Sequence, residues 1–274
     1  MEKAPKISVC IPVYNGAEFI KAAIDSVLAQ TEQDYEIILV DNQSTDQTVA
    51  LIRSYQDPRI KLFINESNIG MIPNWNKALS YATGKYIKIL PADDLLYPNC
   101  LALQSAVLEA DTQKKISLVC SSRHIINDAG KVLFTRKFSG RRLQLSSSAA
   151  VNRVIRAGGN IVGEGGAVMF RRETHEKVGP FNSNIFYLLD LDQWFKIMRH
   201  GDLYVLPDVL SAFRVSSTSA SVVVANKQKD DYFAFIKKIY AEKDYGLTWL
   251  SYQIGLIKTY IFTQIKKLIY KFVV

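Results

Sequence analysis

Short apolar runs alternate with segments of helical periodicity from Ile7 to Leu90. The apolar runs are rich in β-branched residues, as strands buried on both faces are. They are ISVCIPVY (7–14), YEIILVD (35–41), RIKLFIN (59–65) and YIKIL (86–90). The intervening segments repeat apolar residues every three to four positions, and Ser44 or Thr45 is a suitable N-cap for the second of them. This alternation predicts an α/β fold with a Rossmann-like mixed, mainly parallel sheet flanked by helices.

Carboxylates stand where two of these predicted strands end. Asp41 closes the second strand, and Asp93 and Asp94 follow the fourth. Ligands of such sheets bind beyond the carboxyl ends of the strands, so we expect the three acids to meet at one edge. A single aspartate at such a position is as often a turn or capping residue. Three of them together indicate a ligand site.

A second acidic pair begins a predicted helix in FYLLDLDQWFKIMRHG. Asp190 and Asp192 fall in its first turn, where the helix dipole favours acids, so a structural role is a serious alternative to a role in the site. Residues two apart on a helix point in different directions, and we expect only one of the pair to enter the site.

Between Asp94 and Asp190 the sequence predicts a strand (ISLVCSSRHIIN) and a hairpin partner for it (VLFTRKF). A glycine-rich segment, GGNIVGEGG (158–166), follows them. The glycine-rich segment matches neither a dinucleotide-binding nor a P-loop motif. It is expected to be a mobile loop or a place of close backbone approach. Cys10, Cys100 and Cys120 lack metal-ligand spacing, and core packing is expected for them.

The formal charge of +8 is concentrated near the end of the chain. From Lys227 onward there are nine lysines and four acids, and after Leu247 there are four lysines and no acid. Apolar residues recur every three or four positions there, with aromatic residues interleaved. This pattern is typical of a helix lying at a membrane surface, and a helix packed on the catalytic domain or on another subunit is the alternative. Nucleic-acid binding is disfavoured because the positive charge lies on an apolar segment.

The N-terminal MEKAPKISVCIPVYNG shows no apolar signal-peptide core, and no window is long and apolar enough for a spanning helix. We therefore expect a cytoplasmic protein, peripheral at the inner face of the membrane through residues 245–274.

The combination of PVYNG, VDNQSTD, NESNIGMIPNWNKA and KYIKILPADDLLYP resembles glycosyltransferase family 2, from about Ile7 to Pro98 and more loosely to about Arg214. The family consists of inverting enzymes of the GT-A fold. The resemblance implies that Asp93 faces the ribose, that Asp94 binds a divalent metal (Mn²⁺ or Mg²⁺), and that Asp190 is the catalytic base. The further nucleotide-sugar-binding positions that it implies are Pro12, Tyr14, Asn15, Asp41, Asn68, Gly70 and Asn76. Asp192 is the fallback base, and Arg214 could help to hold phosphate.

The sequence departs from the family pattern at four positions. Pro91 replaces the leading acid of the metal motif, and Asn42 replaces a second acid after Asp41. Leu189 replaces a glutamate before the base, and Val215 replaces a histidine near the end of the catalytic domain. Metal binding would therefore rest on few carboxylates plus the diphosphate.

These observations predict a catalytic domain over 1–220, with a nucleotide-binding half (about 1–98) and an acceptor-binding half (about 99–220). A basic amphipathic helical tail follows over 221–274. The expected activity moves one sugar per encounter from a nucleoside-diphosphate sugar, with UDP favoured, to a glycan or lipid-linked acceptor in cell-surface polysaccharide synthesis. A noncatalytic sugar-nucleotide or membrane-surface binding protein on the same scaffold is the alternative, and a homodimer is left open. A sugar nucleotidyltransferase is disfavoured because PVYNGAEF lacks a glycine-rich basic loop.

Overall fold

The computed structural model describes residues 4–181, 188–215 and 228–273; within these ranges, side chains are described up to residue 261 except at 228 and 229. The strands are β1 Ile7–Val13, β2 Tyr35–Asp41, β3 Ile60–Ile64, β4 Tyr86–Ile89, β5 Leu95–Leu96, β6 Ile116–Ile126, β7 Val132–Arg136, β8 Leu143–Leu145, β9 Val168–Arg171 and β10 Asp202–Arg214. The helices are α1 Ile20–Leu28, α2 Thr48–Arg53, α3 Met71–Ser80, α4 Cys100–Ala110, α5 Ser147–Ala157, α6 Arg172–Val178, α7 Leu189–Met198, α8 Gln228–Ala241 and α9 Trp249–Val273. The predicted domain boundary at residue 220 lies outside the described residues.

The first four long strands form the parallel part of the sheet, in the order β3-β2-β1-β4. Helices α1, α2 and α3 connect them, as the alternation of patterns predicts. The expected start of α2 is wrong by a few residues. Asp46 accepts from the Thr48 amide at 3.0 Å, so the helix begins at Thr48. Ser44 and Thr45 bind Asn15 instead.

Beyond β4 the sheet continues through β9, β6 and β10 of the second half of the chain and ends at the short β5. Strand β9 is antiparallel to both β4 and β6, whereas β6 and β10 are parallel. The predicted hairpin between β6 and β7 is confirmed. The result is the mixed sheet of the expected fold class, whose parallel character is concentrated in its first half.

Side-chain alternation along the buried strands divides the core into two layers. Cys10 and Ile38 face the layer covered by α3, α5, α7 and α8, whereas their neighbours Val9 and Ile37 face the layer covered by α1 and α4. Strands β1 and β2 are buried along their whole length, because helices cover both faces. All three cysteines are free and buried, which confirms their predicted core position.

Helix α9 packs one side against α5. A Cβ atom on Gly255 would lie 2.6 Å from Cγ2 of Ile155, so glycine permits close approach of the two helices. Arg156 Nε also donates to Ser251 Oγ at 2.7 Å. The opposite side of α9 is apolar and exposed, at Trp249, Leu250, Ile257, Tyr260 and Ile261. Within the described ranges, no helix has the length and apolar character needed to cross a bilayer.

Candidate active site

Asp94 lies just beyond the carboxyl end of β4 and is 1% exposed. Its Oδ1 accepts from the backbone N–H of Arg214, at the end of β10, at 2.9 Å. No described residue donates to its other oxygen. Burial, reinforced by the neighbouring charges of Asp93, Glu164 and Asp190, raises the pKa of Asp94 well above its usual range, although the Arg214 N–H opposes this. The second oxygen of a buried carboxylate is thus left for a ligand.

The Arg214 side chain links the Asp93–Asp94 segment to the turn of the β6–β7 hairpin through hydrogen bonds. Its Nε donates to the Asp93 carbonyl at 2.8 Å, and its Nη1 donates to the carbonyls of Asn127 and Asp128 at 2.8 and 2.7 Å. The guanidinium lies 4.4 Å from the centre of the Phe19 ring. These contacts give Arg214 a positioning role that the sequence pattern did not indicate. They also occupy its Nε and Nη1 groups, which are then not available to bind phosphate.

Asp41 ends β2 with its side chain fully buried. Its Oδ2 accepts from the Ser44 amide at 2.9 Å, whereas its Oδ1 is buried without a hydrogen-bond partner. A buried carboxylate oxygen without a donor is costly, so this atom is poised to accept a hydrogen bond from a ligand. The expected contact of Asp41 to a nucleobase stays a prediction.

Asn42, which replaces an acid of the family pattern, belongs to a buried network of amides. Its Nδ2 donates to Asn68 Oδ1 at 2.7 Å, and its Oδ1 accepts from Asn65 Nδ2 at 2.9 Å. Asn65 also donates to Asn74 Oδ1 at 2.8 Å. Asn68 in turn accepts from the amide of Gly70, which precedes α3 with φ of 87°. The network fixes the loop between β3 and α3 against the end of β2.

The loop after β1 presents Tyr14, which is 49% exposed, next to the buried Pro12. Asn15 is bound within the protein, because its amide donates to Ser44 Oγ and its Oδ1 accepts from the Thr45 amide, both at 2.8 Å. Its φ of 48° places it in the left-handed region, which asparagine tolerates. Asn15 therefore shapes the loop, and Tyr14 is the side chain free to cover a ligand.

Asn76 lies in the middle of α3 and is tied to the segment before α7. Its Nδ2 donates to the Phe181 carbonyl at 3.2 Å, and its Oδ1 accepts from the Phe181 amide at 2.8 Å. The structure therefore gives this expected nucleotide-binding residue a structural partner on each polar group.

The two acids at the start of α7 have different surroundings. Asp192 is 1% exposed and is bound by Lys196 and Lys238, each at 2.7 Å. Asp190 is half-buried, and its Oδ1 has no hydrogen-bond partner. Burial and the nearby charge of Glu164 raise the pKa of Asp190 to about 7, against the opposing effect of Arg123. Of the pair, Asp190 has the free oxygen and the proton affinity that suit a base near neutral pH.

Glu164, which sequence reasoning did not single out, lies near both Asp94 and Asp190. It forms an ion pair with Arg123, a side chain of β6 that is 1% exposed. The short 3-10 helix Gly165–Ala167 follows it, and the buried Lys88 donates to the Gly166 carbonyl at 2.6 Å. Two signals were available: Glu164 is the one acid of GGNIVGEGG, and Arg123 is the one charge in an apolar strand.

The acids around Asp94 supply the negative charge that a hard cation requires, but too few ligands to complete its coordination shell. A divalent ion would relieve the repulsion among Asp93, Asp94, Glu164 and Asp190, and carboxylate oxygen is its preferred ligand. Among the described residues, no three acids, histidines or cysteines stand close enough to hold a metal ion by themselves. A cation at Asp94 would therefore depend on phosphate oxygens and water to complete its shell.

Comparisons with known proteins find similarity to glycosyltransferases. The chain is 28% identical over 229 residues to WfgD of Escherichia coli, a UDP-Glc:alpha-D-GlcNAc-diphosphoundecaprenol beta-1,3-glucosyltransferase, covering 82% of this chain and 81% of that protein. Its fold is similar to that of S. aureus TarS 1–349 in complex with UDP (TM-score 0.68, 19% identity, 93% of this chain and 70% of that one). It is also similar to the mannosyltransferase PcManGT from Pyrobaculum calidifontis in complex with GDP-Man and Mn²⁺ (TM-score 0.60, 20% identity, 87% and 65%).

The family model described as "Glycosyl transferase family 2" matches residues 8–179, which include β1 to β9 and the segment carrying Asp41, Asp93, Asp94 and Glu164. The expected GT-A fold class is confirmed, and a noncatalytic role on this scaffold is set aside. The chain belongs to glycosyltransferase family 2 and is a transferase.

Proposed function

We propose that the protein transfers one sugar from a UDP-sugar to a hydroxyl of a glycan or lipid-linked saccharide in cell-surface polysaccharide synthesis, with inversion at the anomeric carbon. The observation that carries the proposal is the placement of Asp94 and Asp190. They come from separate halves of the chain, yet their carboxylates lie close enough for the charge of Asp190 to raise the pKa of Asp94. The names of WfgD and of the TarS complex support UDP as the nucleotide.

Each acid has a separate task in the proposed reaction. Asp41 Oδ1 accepts the N3–H of uracil, which supplies the donor that this buried oxygen lacks. Asp93, half-buried beside Asp94, accepts from ribose hydroxyls. Asp94 would hold a divalent cation, which when bound neutralises charge on the leaving diphosphate; the Mn²⁺ in the PcManGT complex supports this.

Asp190 takes the proton of the acceptor hydroxyl while the oxygen of that hydroxyl forms a bond to the anomeric carbon of the sugar. The bond from that carbon to the diphosphate oxygen breaks in the same displacement, and UDP leaves with the bonding electrons. Attack from the face opposite the diphosphate inverts the configuration. A pKa of about 7 leaves Asp190 partly ionised near neutral pH and still strong enough to accept the proton.

The test is transfer from a panel of nucleotide sugars to lipid-diphosphate and free saccharide acceptors, with Mn²⁺ or Mg²⁺ present. Asp94→Asn and Asp190→Asn are each expected to lower kcat/KM at least about 100-fold. Asp57→Asn, at a surface ion pair with Arg59, is the matched control and should leave the rate unchanged. Full activity in both site variants would overturn the assignment of these residues.

We also propose that the exposed side of α9 rests on a membrane of anionic lipids, near a lipid-linked acceptor. The exposed side chains include Trp249 and Tyr260, aromatic residues that favour the interface, and the exposed Lys258 stands beside them. Residues 248–274 contain no acid that would oppose anionic head groups.

Sedimentation with phosphatidylglycerol-containing vesicles tests this second proposal. Ile257→Glu should lower vesicle binding at least about tenfold by adding a like charge and removing apolar contact. Ser80→Glu, at an exposed position of α3, is the charge-matched control. A variant that binds vesicles normally but changes from dimer to monomer would instead identify this side as an interface between two copies.

A further inference from the structure

Strand β7 is an exposed apolar strand that the proposed reaction does not use. Among the described strands it pairs only with β6, so its other edge is open. The side chains of Val132, Leu133 and Phe134 are 44%, 53% and 53% exposed. Proteins usually cover or blunt an open edge that carries exposed apolar side chains. The strand therefore has the character of a binding surface.

The turn before β7 is attached to the acids of the candidate active site. Arg214 Nη1 donates to the carbonyls of Asn127 and Asp128 in the turn, and its Nε donates to the Asp93 carbonyl. The backbone N–H of Arg214 donates to Asp94 Oδ1 at 2.9 Å. One residue therefore links the hairpin to both acids, and the hairpin borders the site.

Phe134 and Arg136 lie on the face of the hairpin that carries Arg123. Arg136 is directly opposite Arg123 in the pairing of β6 with β7, and Phe134 is opposite Ile125. Residues that are directly opposite in an antiparallel pair share a face, and so do residues two apart along a strand. On this face the Arg123 guanidinium forms an ion pair with Glu164.

The positive charge of β7 has no compensation within the described part of the chain. No carboxylate there pairs with Arg136 or with the flanking Lys131 and Lys137, and residues 129–163 contain no acid. Like charges directly opposite each other on neighbouring strands destabilise the pairing, and Arg123 is opposite Arg136. An anion bound at Arg136 would relieve this repulsion.

Phe134 and Arg136 together fit a ligand with two chemical parts. The exposed ring offers apolar area to a hydrocarbon, and the guanidinium can donate two parallel hydrogen bonds to a phosphate. A lipid-linked saccharide has both parts where its hydrocarbon joins the diphosphate, whereas a free glycan has neither. A second copy of the chain fits less well, because antiparallel pairing of two β7 strands about Phe134 would place Lys131 opposite Lys137.

We propose that β7 binds the acceptor of the reaction, with Phe134 contacting the hydrocarbon and Arg136 the diphosphate of a lipid-linked saccharide. This inference rests on the proposed function and deepens it, because it selects the lipid-linked acceptor over the free glycan. A saccharide attached to a lipid held on β7 lies beside the site to which Arg214 ties the hairpin.

The first test measures binding and needs no catalysis. Farnesyl diphosphate, which has both chemical parts, is titrated into the protein by calorimetry in saturating UDP and below its micelle concentration. Inorganic diphosphate and farnesol are titrated separately. Farnesyl diphosphate should bind at least about tenfold more tightly than either fragment, because it makes both contacts. Arg136→Gln and Phe134→Ser should each raise its Kd at least about tenfold.

The second test compares two acceptors that carry the same saccharide, one free and one linked to farnesyl diphosphate. Arg136→Gln and Phe134→Ser should raise KM for the linked acceptor at least about tenfold. The KM for the UDP-sugar and kcat/KM for the free saccharide should change less than about twofold, which a general loss of structure would not allow. Arg53→Gln, at another exposed arginine, and Leu250→Ser, at a side chain 55% exposed, are the matched controls.

Several results would contradict the assignment of β7. Unchanged binding of farnesyl diphosphate in both variants would do so, as would equal affinity for farnesyl diphosphate and inorganic diphosphate. A raised Kd for UDP in Arg136→Gln would make this residue part of the donor site instead. Unchanged probe binding together with a change from dimer to monomer in Phe134→Ser would identify β7 as an interface between two copies.

The outcomes also separate this inference from the proposed function. If Asp94→Asn and Asp190→Asn are fully active, the proposed chemistry is wrong, and the titration still decides whether β7 binds a lipid diphosphate. If both site variants are inactive but the two β7 variants bind and use the linked acceptor normally, only this inference is overturned.

Discussion

At the scale of single residues, the site is marked by buried oxygens that the fold leaves without donors. Asp41 Oδ1 and Asp190 Oδ1 both lack hydrogen-bond partners, whereas the similarly buried Glu36 accepts from Ser8 and Thr83 and pairs with Lys61. An unpaired buried carboxylate oxygen costs stability. A bound ligand that supplies a donor recovers that cost, so these atoms point to function.

The raised pKa of Asp190 predicts a gain of stability on its removal. Below about pH 4 the carboxyl is protonated in the folded and the unfolded chain, and Asp190→Asn should change little. As the pH rises to about 7 the unfolded chain loses its proton first, so the folded state is progressively penalised. At pH 8 and without metal, the variant should unfold with a free energy about 1–2 kcal/mol higher, allowing for partial solvation of the group.

Urea unfolding between pH 4 and pH 8 in EDTA measures this difference. Asp57→Asn is a control that should change stability in the opposite direction. The hydrogen bond from Arg59 lowers the pKa of Asp57, so the Asp57 carboxylate stabilises the fold at pH values above its unfolded pKa. The variant should therefore have a lower free energy of unfolding at pH 8. A pH-independent effect of Asp190→Asn would contradict the assigned ionisation.

At the scale of elements, α7 shows how a helix separates two acids of similar sequence position. Asp190 and Asp192 differ by two residues, about 200° around the helix, so they face different neighbours. Lys196 on the same helix and Lys238 on α8 bind Asp192. The element thus uses one acid to anchor α8 and presents the other to the site.

Asp192→Asn is therefore expected to weaken the fold and spare the chemistry. Loss of the charge leaves two lysine ammonium groups without their shared carboxylate, and the free energy of unfolding should fall by about 1–3 kcal/mol. The value of kcat under folded conditions should change less than about twofold. Thermal unfolding and transfer assays below the melting temperature measure the two effects, and Lys196→Met should reproduce the first. A large loss of kcat with normal stability would favour Asp192 as the base.

At the scale of the whole molecule, the donor site joins strand ends of the parallel half of the sheet to elements of the mixed half. Asp41 ends β2, Asp94 follows β4, and the backbone N–H of Arg214 at the end of β10 binds Asp94. Donor and metal should therefore stabilise the whole fold together, because each supplies ligands or charge that the other requires.

Thermal shift measurements should show this coupling. UDP with Mn²⁺ should raise Tm by more than the sum of the separate shifts, because each supplies ligands or charge that the other requires. Saturation of one site at 100 times Kd adds about 2.7 kcal/mol of stability. Asp94→Asn should remove the metal-dependent part and retain the shift from UDP alone. Equal synergy in Asp94→Asn and the native protein would place the metal elsewhere.

The sequence by itself determined the order of strands and helices in the first half, the strand-end acids and the family. Those features are local: apolar periodicity specifies the elements, and strand direction brings Asp41, Asp93 and Asp94 to one edge. Only the tertiary structure decided the fates of Asp190 and Asp192, the anchoring role of Arg214 and the Glu164–Arg123 pair. These depend on contacts between residues distant in the chain, and burial and neighbouring charge set their ionisation, which no sequence period records.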